Sequence, residues 1–242
     1  SPAGGCTWYL GACSSVLRAS GVYPKLYNYT VRGFSAVTQS FYAPQLLVAH
    51  PSRPARDAKE LISRARSRPD LISYATPGNG SVAHLAMEVF KSSSHTQILH
   101  VPYRGAAQAL TDVVAGQVSV FMSTIPAALP FSQSGRLKML ATTGLIRSRV
   151  LPKLPTVSES GLKNYEVTTW YGILTPAGVP DTLIQKINAD ITRVIRQPEV
   201  RARIASEGGD IVAGTSAQFG DFIQRELAKW AAAAKQSNAT VD

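Results

Sequence analysis

Residues 73–90, SYATPGNGSVAHLAMEVF, carry a β-type run, a Gly-rich turn and an amphipathic helical pattern within eighteen residues. Gly78 and Gly80 allow a tight turn and a close approach of backbone to a ligand. Ser81 is a natural N-cap, and the helix behind it offers free N–H groups and partial positive charge. Strand, Gly-rich turn and helix N-terminus together form the geometry of an anion site. A P-loop is excluded because no Lys-Ser or Lys-Thr follows the glycines. A dinucleotide fingerprint is excluded because a third glycine and an acidic end to the next strand are missing. A tight βα connection that binds nothing stays open on this motif alone.

The same shape recurs downstream. VPYRGAAQAL (101–110) ends a strand at Tyr103, frees the backbone at Gly105 and enters a helix, while FMSTIP (121–126) ends a third strand in Ser123 and Thr124. Between them runs a regular alternation. QLLVAH, LISYAT, TQILHVPY, QVSVFMS and RLKMLATTG read as strands. Residues 57–66, SVAHLAMEVFKSS, AAQALTDVVAG and AALPFSQSG read as helices. Strands that are apolar nearly throughout predict a parallel sheet covered by helices on both faces. Turns at its carboxyl edge lie where open α/β sheets bind ligands.

Outside this core the pattern changes. Residues 148–167 hold prolines and turn formers and read as an irregular connection, and TTWYGILTPAGVP reads as a strand ending at Pro180. Two helices are expected after it. The first is N-capped by Asp181 with Leu183, Ile184, Ile187, Ile191, Val194 and Ile195 on one face. The second covers residues 216–235 with Phe219, Phe222, Ile223, Leu227 and Trp230 inward. Before residue 45 a strand at CTWYLGA and a less regular GFSAVTQSF are expected. The predicted organisation is therefore residues 1–41 plus 167–242 as domain 1 and 42–166 as domain 2.

Composition excludes several classes. With 242 residues, 45 % hydrophobic and 17 % charged, the chain can bury a large core and is not disordered. No apolar run is long enough to cross a bilayer. The opening SPAGGCTWYL lacks a basic n-region followed by an apolar h-region, which leaves the compartment open. The net charge of +10 invites a nucleic-acid reading, but the basic residues are scattered. Their densest cluster, SRPARDAKELISRARSRPD, reads as a solvated helix face with Ala58, Leu61, Ile62 and Ala65 inward, so no nucleic-acid partner is expected. Two cysteines, Cys6 and Cys13, do not define a redox compartment, and the sequons at Asn28, Asn79 and Asn238 read as chance matches.

Catalytic chemistry is poorly served. His84 reads as a capping or packing residue, and His50, His95 and His100 have no acid paired with them in sequence. Asp112 and Glu88 read as solvated helical positions, and Arg104 as a carboxylate fork or a surface charge. No nucleophile elbow, zincin motif or close acid pair is present, so neither a catalytic residue nor a metal nor a cofactor is expected.

YATPGNGSVAHLAMEVFK, HVPYRGAAQALTDVVAGQVSVFMSTIPAALPFSQSGRLKMLATTG, LPTVSESGL and YEVTTWYGILTPAGVP, in this order, resemble the tripartite tricarboxylate transporter receptors, the Bug-type periplasmic solute-binding proteins. The resemblance runs from about residue 5 to 242. It implies a two-domain α/β fold of the type II periplasmic-binding-protein class, with crossover strands and a ligand cleft between the domains. It implies a small carboxylate ligand, no catalysis, and delivery to membrane permease subunits or, in an alternative role, to a sensor kinase. A monomer exported to the periplasm is implied, its signal peptide not present in this chain.

The binding residues so implied are Thr76, Gly78, Asn79, Gly80 and Ser81 in the first turn and Tyr103, Arg104 and Gly105 in the second. Ser123 and Thr124, then Thr169 and Trp170 on the returning strand, would complete the wall. Ala12, Ser14 and Ser15 stand where relatives carry a small, hydroxyl-rich strand end. Departures from the family pattern refine this. Relatives begin with a strand and a Gly-rich loop ahead of the matching region, and a chain without them is expected to bind below full affinity. Ala19 and Ser20 replace the usual Asn-Pro, and Ser119 and Ser123 replace common acids, which favours a plain carboxylate over an amino acid. A hydrolase using His84 or Tyr103 is the competing enzymatic reading.

Overall fold

A computed structural model describes residues 9–12 and 33–237. In chain order the strands are β1 (Tyr9–Ala12), β2 (Phe34–Ala49), β3 (Ser73–Thr76), β4 (Leu99–Pro102), β5 (Val120–Thr124), β6 (Lys138–Thr142), β7 (Thr168–Pro176) and β8 (Asp210–Ile211). The helices are α1 (Ala58–Ser67), α2 (Val82–Ser94), α3 (Ala106–Val114), α4 (Ile125–Gln133), α5 (Asp181–Ile195), α6 (Pro198–Ser206) and α7 (Ser216–Ser237), with a 3₁₀ turn at Pro69–Leu71. Cys6, Cys13, Ser14, Ser15, Ala19, Ser20, Asn28 and Asn238 lie outside the described residues.

These elements divide into two compact units. Unit 1 takes its described residues from Ser1–Tyr42 and Thr169–Asp242, and unit 2 is Ala43–Thr168. The divisions fall inside β2 and at the first residue of β7. The two runs expected around residues 34–50 are a single strand of sixteen residues. Pro44 does not interrupt it, and the described ladder of β2 in unit 2 begins at Gln45.

In unit 2, β3 pairs in parallel with β4 and with β5, while β2 pairs antiparallel with both β5 and β6. The sheet is thus mixed rather than parallel as expected. The apolar run QLLVAH reads the same in either direction, because a strand buried on both faces loses its alternation. That burial is plain in β5, where Val120, Phe121, Met122 and Ser123 are consecutive and all buried, and in β3, where Tyr74, Ala75 and Thr76 are fully enclosed. Phe90 and Met87 of α2 close the same core, and the irregular connection is anchored there by Tyr165, whose hydroxyl donates to the Ala86 carbonyl at 2.9 Å.

Unit 1 is built on antiparallel pairs, β1 with β7 and β2 with β8. Trp170 packs edge-on against Phe219 and Phe222, and Trp230 is equally enclosed. Gly172 is required there: an added Cβ would lie 2.2 Å from the Phe219 ring. Three helices follow β7 rather than the two expected. α6 has no buried residue and therefore no apolar stripe by which to read it. Asp181 is the first helical residue of α5 and Pro180 its N-cap, so the carboxylate acts on the helix dipole rather than as a cap. Ile184, Ile187 and Ile195 are buried as expected, but Val194 turns outward at 51 % exposure.

Candidate functional site

The register of unit 2 brings three strand-to-helix turns to one edge. β4 and β5 flank β3 and run parallel to it, so the β3–α2, β4–α3 and β5–α4 connections all emerge at the carboxyl end. The first two touch. The Tyr103 N–H donates to the Thr76 carbonyl at 2.9 Å, and a Cβ at Gly78 would stand 3.3 Å from the Tyr103 carbonyl oxygen. Gly78 and Gly80 hold φ of +129° and +70°, which a side chain would strain.

Each turn ends at a helix N-terminus. Ser81 caps α2, its hydroxyl accepting from the His84 N–H at 3.2 Å, which leaves Val82 and Ala83 N–H without intrahelical acceptors. Gly105 and Thr124 stand at the N-caps of α3 and α4 and make no side-chain cap, so the opening N–H groups of α3 are free to meet an anion, and α4 offers the N–H of Ile125 but none at Pro126. Asn79, Arg104 and Thr124 are exposed. Arg104 has no hydrogen-bond or ion-pair partner among the described residues. A surface of this make-up is electropositive without any metal. Among the described residues no three His, Cys, Asp or Glu side chains gather where an ion could be held.

Beneath the turns lies a supporting layer, in which His84 fills the capping and packing role expected of it. Gly80 N–H donates to His84 Nδ1 at 3.1 Å, and Gly78 N–H donates to Thr76 Oγ1 at 3.3 Å. Thr76 Oγ1 in turn lies 2.7 Å from His100 Nε2. The two imidazoles stack at 4.3 Å, with the Tyr74 ring 4.7 Å from His100. Burial lowers the pKa of both. At His84 the Glu88 carboxylate opposes that shift and Lys91 adds to it, while His100 falls to about 4, with His84 as the second cause. Both are neutral at pH 7, which His84 must be to accept at Nδ1.

Glu88 is buried rather than solvated, and its Oε1 accepts from the Tyr74 hydroxyl at 2.5 Å and from Lys91 at 2.7 Å. Burial, then the Glu88 bond, holds the Tyr74 phenol protonated. Asp112 likewise has a partner, the Tyr103 hydroxyl at 2.7 Å, and burial followed by that bond raises the Tyr103 pKa to about 12. Both acids sit among apolar neighbours in helical windows, so periodicity places them on the rim of the buried face without revealing a tyrosine across the turn.

Of the residues nominated from sequence, Thr76, Gly78, Asn79, Gly80, Ser81, Tyr103, Arg104, Gly105, Ser123 and Thr124 come together at this edge of unit 2. Thr76 is fully buried with its hydroxyl engaged, so it shapes the turn from below. Thr169 and Trp170 lie on β7 in unit 1, where the Trp170 indole is a core side chain whose Nε1 has no acceptor. Ala12 pairs with Tyr171 through the β1–β7 ladder. Ser119 is at the other end of β5, bonded to Ser73, so an acid lost there has no bearing on these turns. Sequence reasoning missed Gln45, which pairs with Thr124 at the turn edge, and Thr143, whose hydroxyl accepts from the Gln45 N–H at 2.7 Å.

Known proteins share this architecture. The chain is 31 % identical over 209 residues to a UPF0065 protein in the tcbD-tcbE intergenic region of Pseudomonas sp. strain P51, covering 86 % of this chain. It spans 62 % of that relative's length. The solved structure of R. palustris Rpa4515 with adipate superposes with a TM-score of 0.87 at 28 % identity, over 100 % of this chain and 81 % of the other. MatC of Rhodopseudomonas palustris, solved with bound malate, gives a TM-score of 0.82 at 27 % identity, over 97 % and 81 %. These match a two-domain α/β periplasmic-binding-protein fold. The profile of the tripartite tricarboxylate transporter family receptors aligns with residues 1–239, and the chain belongs to that family.

Proposed function

We propose that this protein is a periplasmic solute-binding receptor that captures a small carboxylate for a tripartite tricarboxylate-type transporter. The observation that carries the reading is the convergence of three helix N-termini, with the unpartnered Arg104 guanidinium, on one edge of unit 2. Backbone N–H groups at 79, 82, 83 and 106 would donate to the carboxylate oxygens, and Arg104 would add a charge-assisted bond. Ser81 and Gly80 would hold the first turn in shape, and Tyr103, Gly105, Ser123 and Thr124 would border the ligand. Thr169, Ala12, Ser14 and Ser15 would contribute from domain 1, Trp170 only through its backbone because its indole is a core side chain, the two domains following the two compact units.

The proteins holding adipate and malate support a linear aliphatic acid as the class. Ser123 at the turn edge in place of an acid favours a plain carboxylate over an amino acid, since position 123 offers no side-chain anion to an ammonium group. The ligand would be released unchanged: both histidines are neutral and committed to supporting the turn, His84 through the Gly80 N–H and His100 through the Thr76 hydroxyl. The loaded protein, a monomer, would hand its ligand to membrane permease subunits. Pull-downs with permease and with sensor-kinase domains distinguish delivery from signalling.

A thermal-shift screen of mono-, di- and tricarboxylates and amino acids tests the reading. An acid at about a hundred times its Kd stabilises the fold by roughly 2.7 kcal/mol, and Arg104→Ala should weaken the response. A larger shift with aspartate than with succinate would contradict the plain-carboxylate assignment, and no shift with any acid would contradict the receptor reading.

A further inference from the structure

We propose that the amino edge of the unit 2 sheet carries a second binding site, for a small organic anion with an apolar body. A cavity of about 390 Å³ opens there, floored by Ala49 at the end of β2, Val120 at the start of β5 and Leu61 of α1. Ala49 and Val120 are register partners, four residues from the Gln45–Thr124 pair that marks the turn edge. At about 3.3 Å per residue the cavity is roughly 13 Å from the candidate carboxylate site along the same strand. The volume falls within the range of small-molecule sites.

The walls supply the charge. The Arg-rich stretch is the solvated helix face expected, with Ala58, Leu61, Ile62 and Ala65 buried beneath it, and its arginines sort by partner. Arg56 and Arg64 share Glu60, at 3.2 and 2.9 Å, and Arg66 donates to the Ser94 carbonyl at 2.9 Å. Arg53 and Arg68 are left over, and both line the cavity. Arg53 donates through Nη2 to the Gly116 carbonyl at 3.2 Å, but its Nε is buried without an acceptor, and its guanidinium meets no carboxylate among the described residues. The Arg68 side chain has no hydrogen-bond or ion-pair partner among them. Burying part of a guanidinium without a counter-ion is costly, and an anion in the cavity offsets that cost.

Leu71 decides the rest of the ligand. It stands in the cavity wall, yet 63 % of it is exposed, so an apolar body lying against it removes that surface from water. Two guanidinium groups without counter-ions among the described residues, above an apolar floor, match a carboxylate on a short alkyl or aromatic body, and charge complementarity favours this over a flat protein partner.

Octanoate is the probe, titrated calorimetrically into the whole chain, with octanol as its uncharged counterpart. Arg104→Ala keeps the octanoate heat of this second site, whereas Arg68→Ala and Leu71→Asp, both at exposed positions, weaken it about tenfold or more. Octanol binds at least about tenfold more weakly than octanoate. The proposal is overturned if octanoate gives no saturable heat at millimolar concentration, or if Arg104→Ala abolishes all of it. It is also overturned if Arg68→Ala and Leu71→Asp bind like the parent chain, or if a Glu-rich peptide displaces octanoate at lower concentration than octanoate itself binds.

Discussion

The Gly80 N–H donates to Nδ1 of His84, 3.1 Å away and one helical turn into α2. The bond ties the Gly-rich turn to the helix it opens, and it demands a neutral imidazole with its proton on Nε2. That proton faces Glu88, whose Oε1 is 4.0 Å from the His84 Nε2. A histidine that reads in sequence as a capping or packing residue therefore fastens the Gly-rich turn to its helix.

His84→Ala leaves a buried Gly80 N–H without an acceptor and removes the ring stacked on His100. It should cost about 2–4 kcal/mol in urea unfolding. His84→Asn restores an amide oxygen near the position of Nδ1 and should recover part of the loss. Equal destabilisation by both variants would show that the ring's packing, not its acceptor, matters.

Acid should loosen the same region. The folded-state pKa values of His84 and His100 lie below their unfolded value, so the unfolded chain takes up more protons as pH falls. Stability is fully present above about pH 6.5 and is lost progressively toward about pH 4, the folded value of His100. After allowance for solvent screening of the partly exposed His100, the loss is on the order of 1 kcal/mol. Urea midpoints that stay flat across that window, with carboxylate-dependent effects removed by a His100→Gln comparison, would contradict it.

Tyr74 and Glu88 should be energetically coupled. Tyr74→Phe removes the bond to a buried carboxylate and should cost about 1.5–3 kcal/mol, while Glu88 keeps Lys91. A double-mutant cycle with Glu88→Gln is expected to return an interaction of about 1–2 kcal/mol. Additive single losses would mean that the short bond carries no net stabilisation.

At Gly78 the backbone itself is tested. Gly78→Ala places a Cβ on a φ of +129° and 3.3 Å from the Tyr103 carbonyl. The strain should cost about 1–3 kcal/mol and also raise the Kd for the carboxylate, because both turns must give way. Unchanged affinity with lowered stability would place the ligand elsewhere.

What the sequence made legible follows from its physics. The β-α alternation, the Ser81 cap and the three turn ends are local signals, written in periodicity and in glycine, serine and threonine at strand ends, and the structure places them as expected. Strand direction is not local: QLLVA carries no mark of running antiparallel to FMST, so the mixed sheet and the placing of Gln45 beside Thr124 came only from the pairing. The supporting layer was hidden for the same reason. Tyr74, Glu88, His84 and His100 belong to three elements, and only their packing shows that the acid has a phenol and the imidazoles have each other. Arg53 and Arg68 were obscured by basic neighbours whose partners the sequence does not reveal.

The central claim is that backbone N–H groups of the unit 2 turns hold a carboxylate, and amide chemical shifts report on it directly. Adding adipate or malate to ¹⁵N-labelled protein should move the Asn79, Val82, Ala83 and Ala106 amide resonances together, in a saturable way, and far less in Arg104→Ala. Saturable shifts that leave those four amides in place would contradict the account.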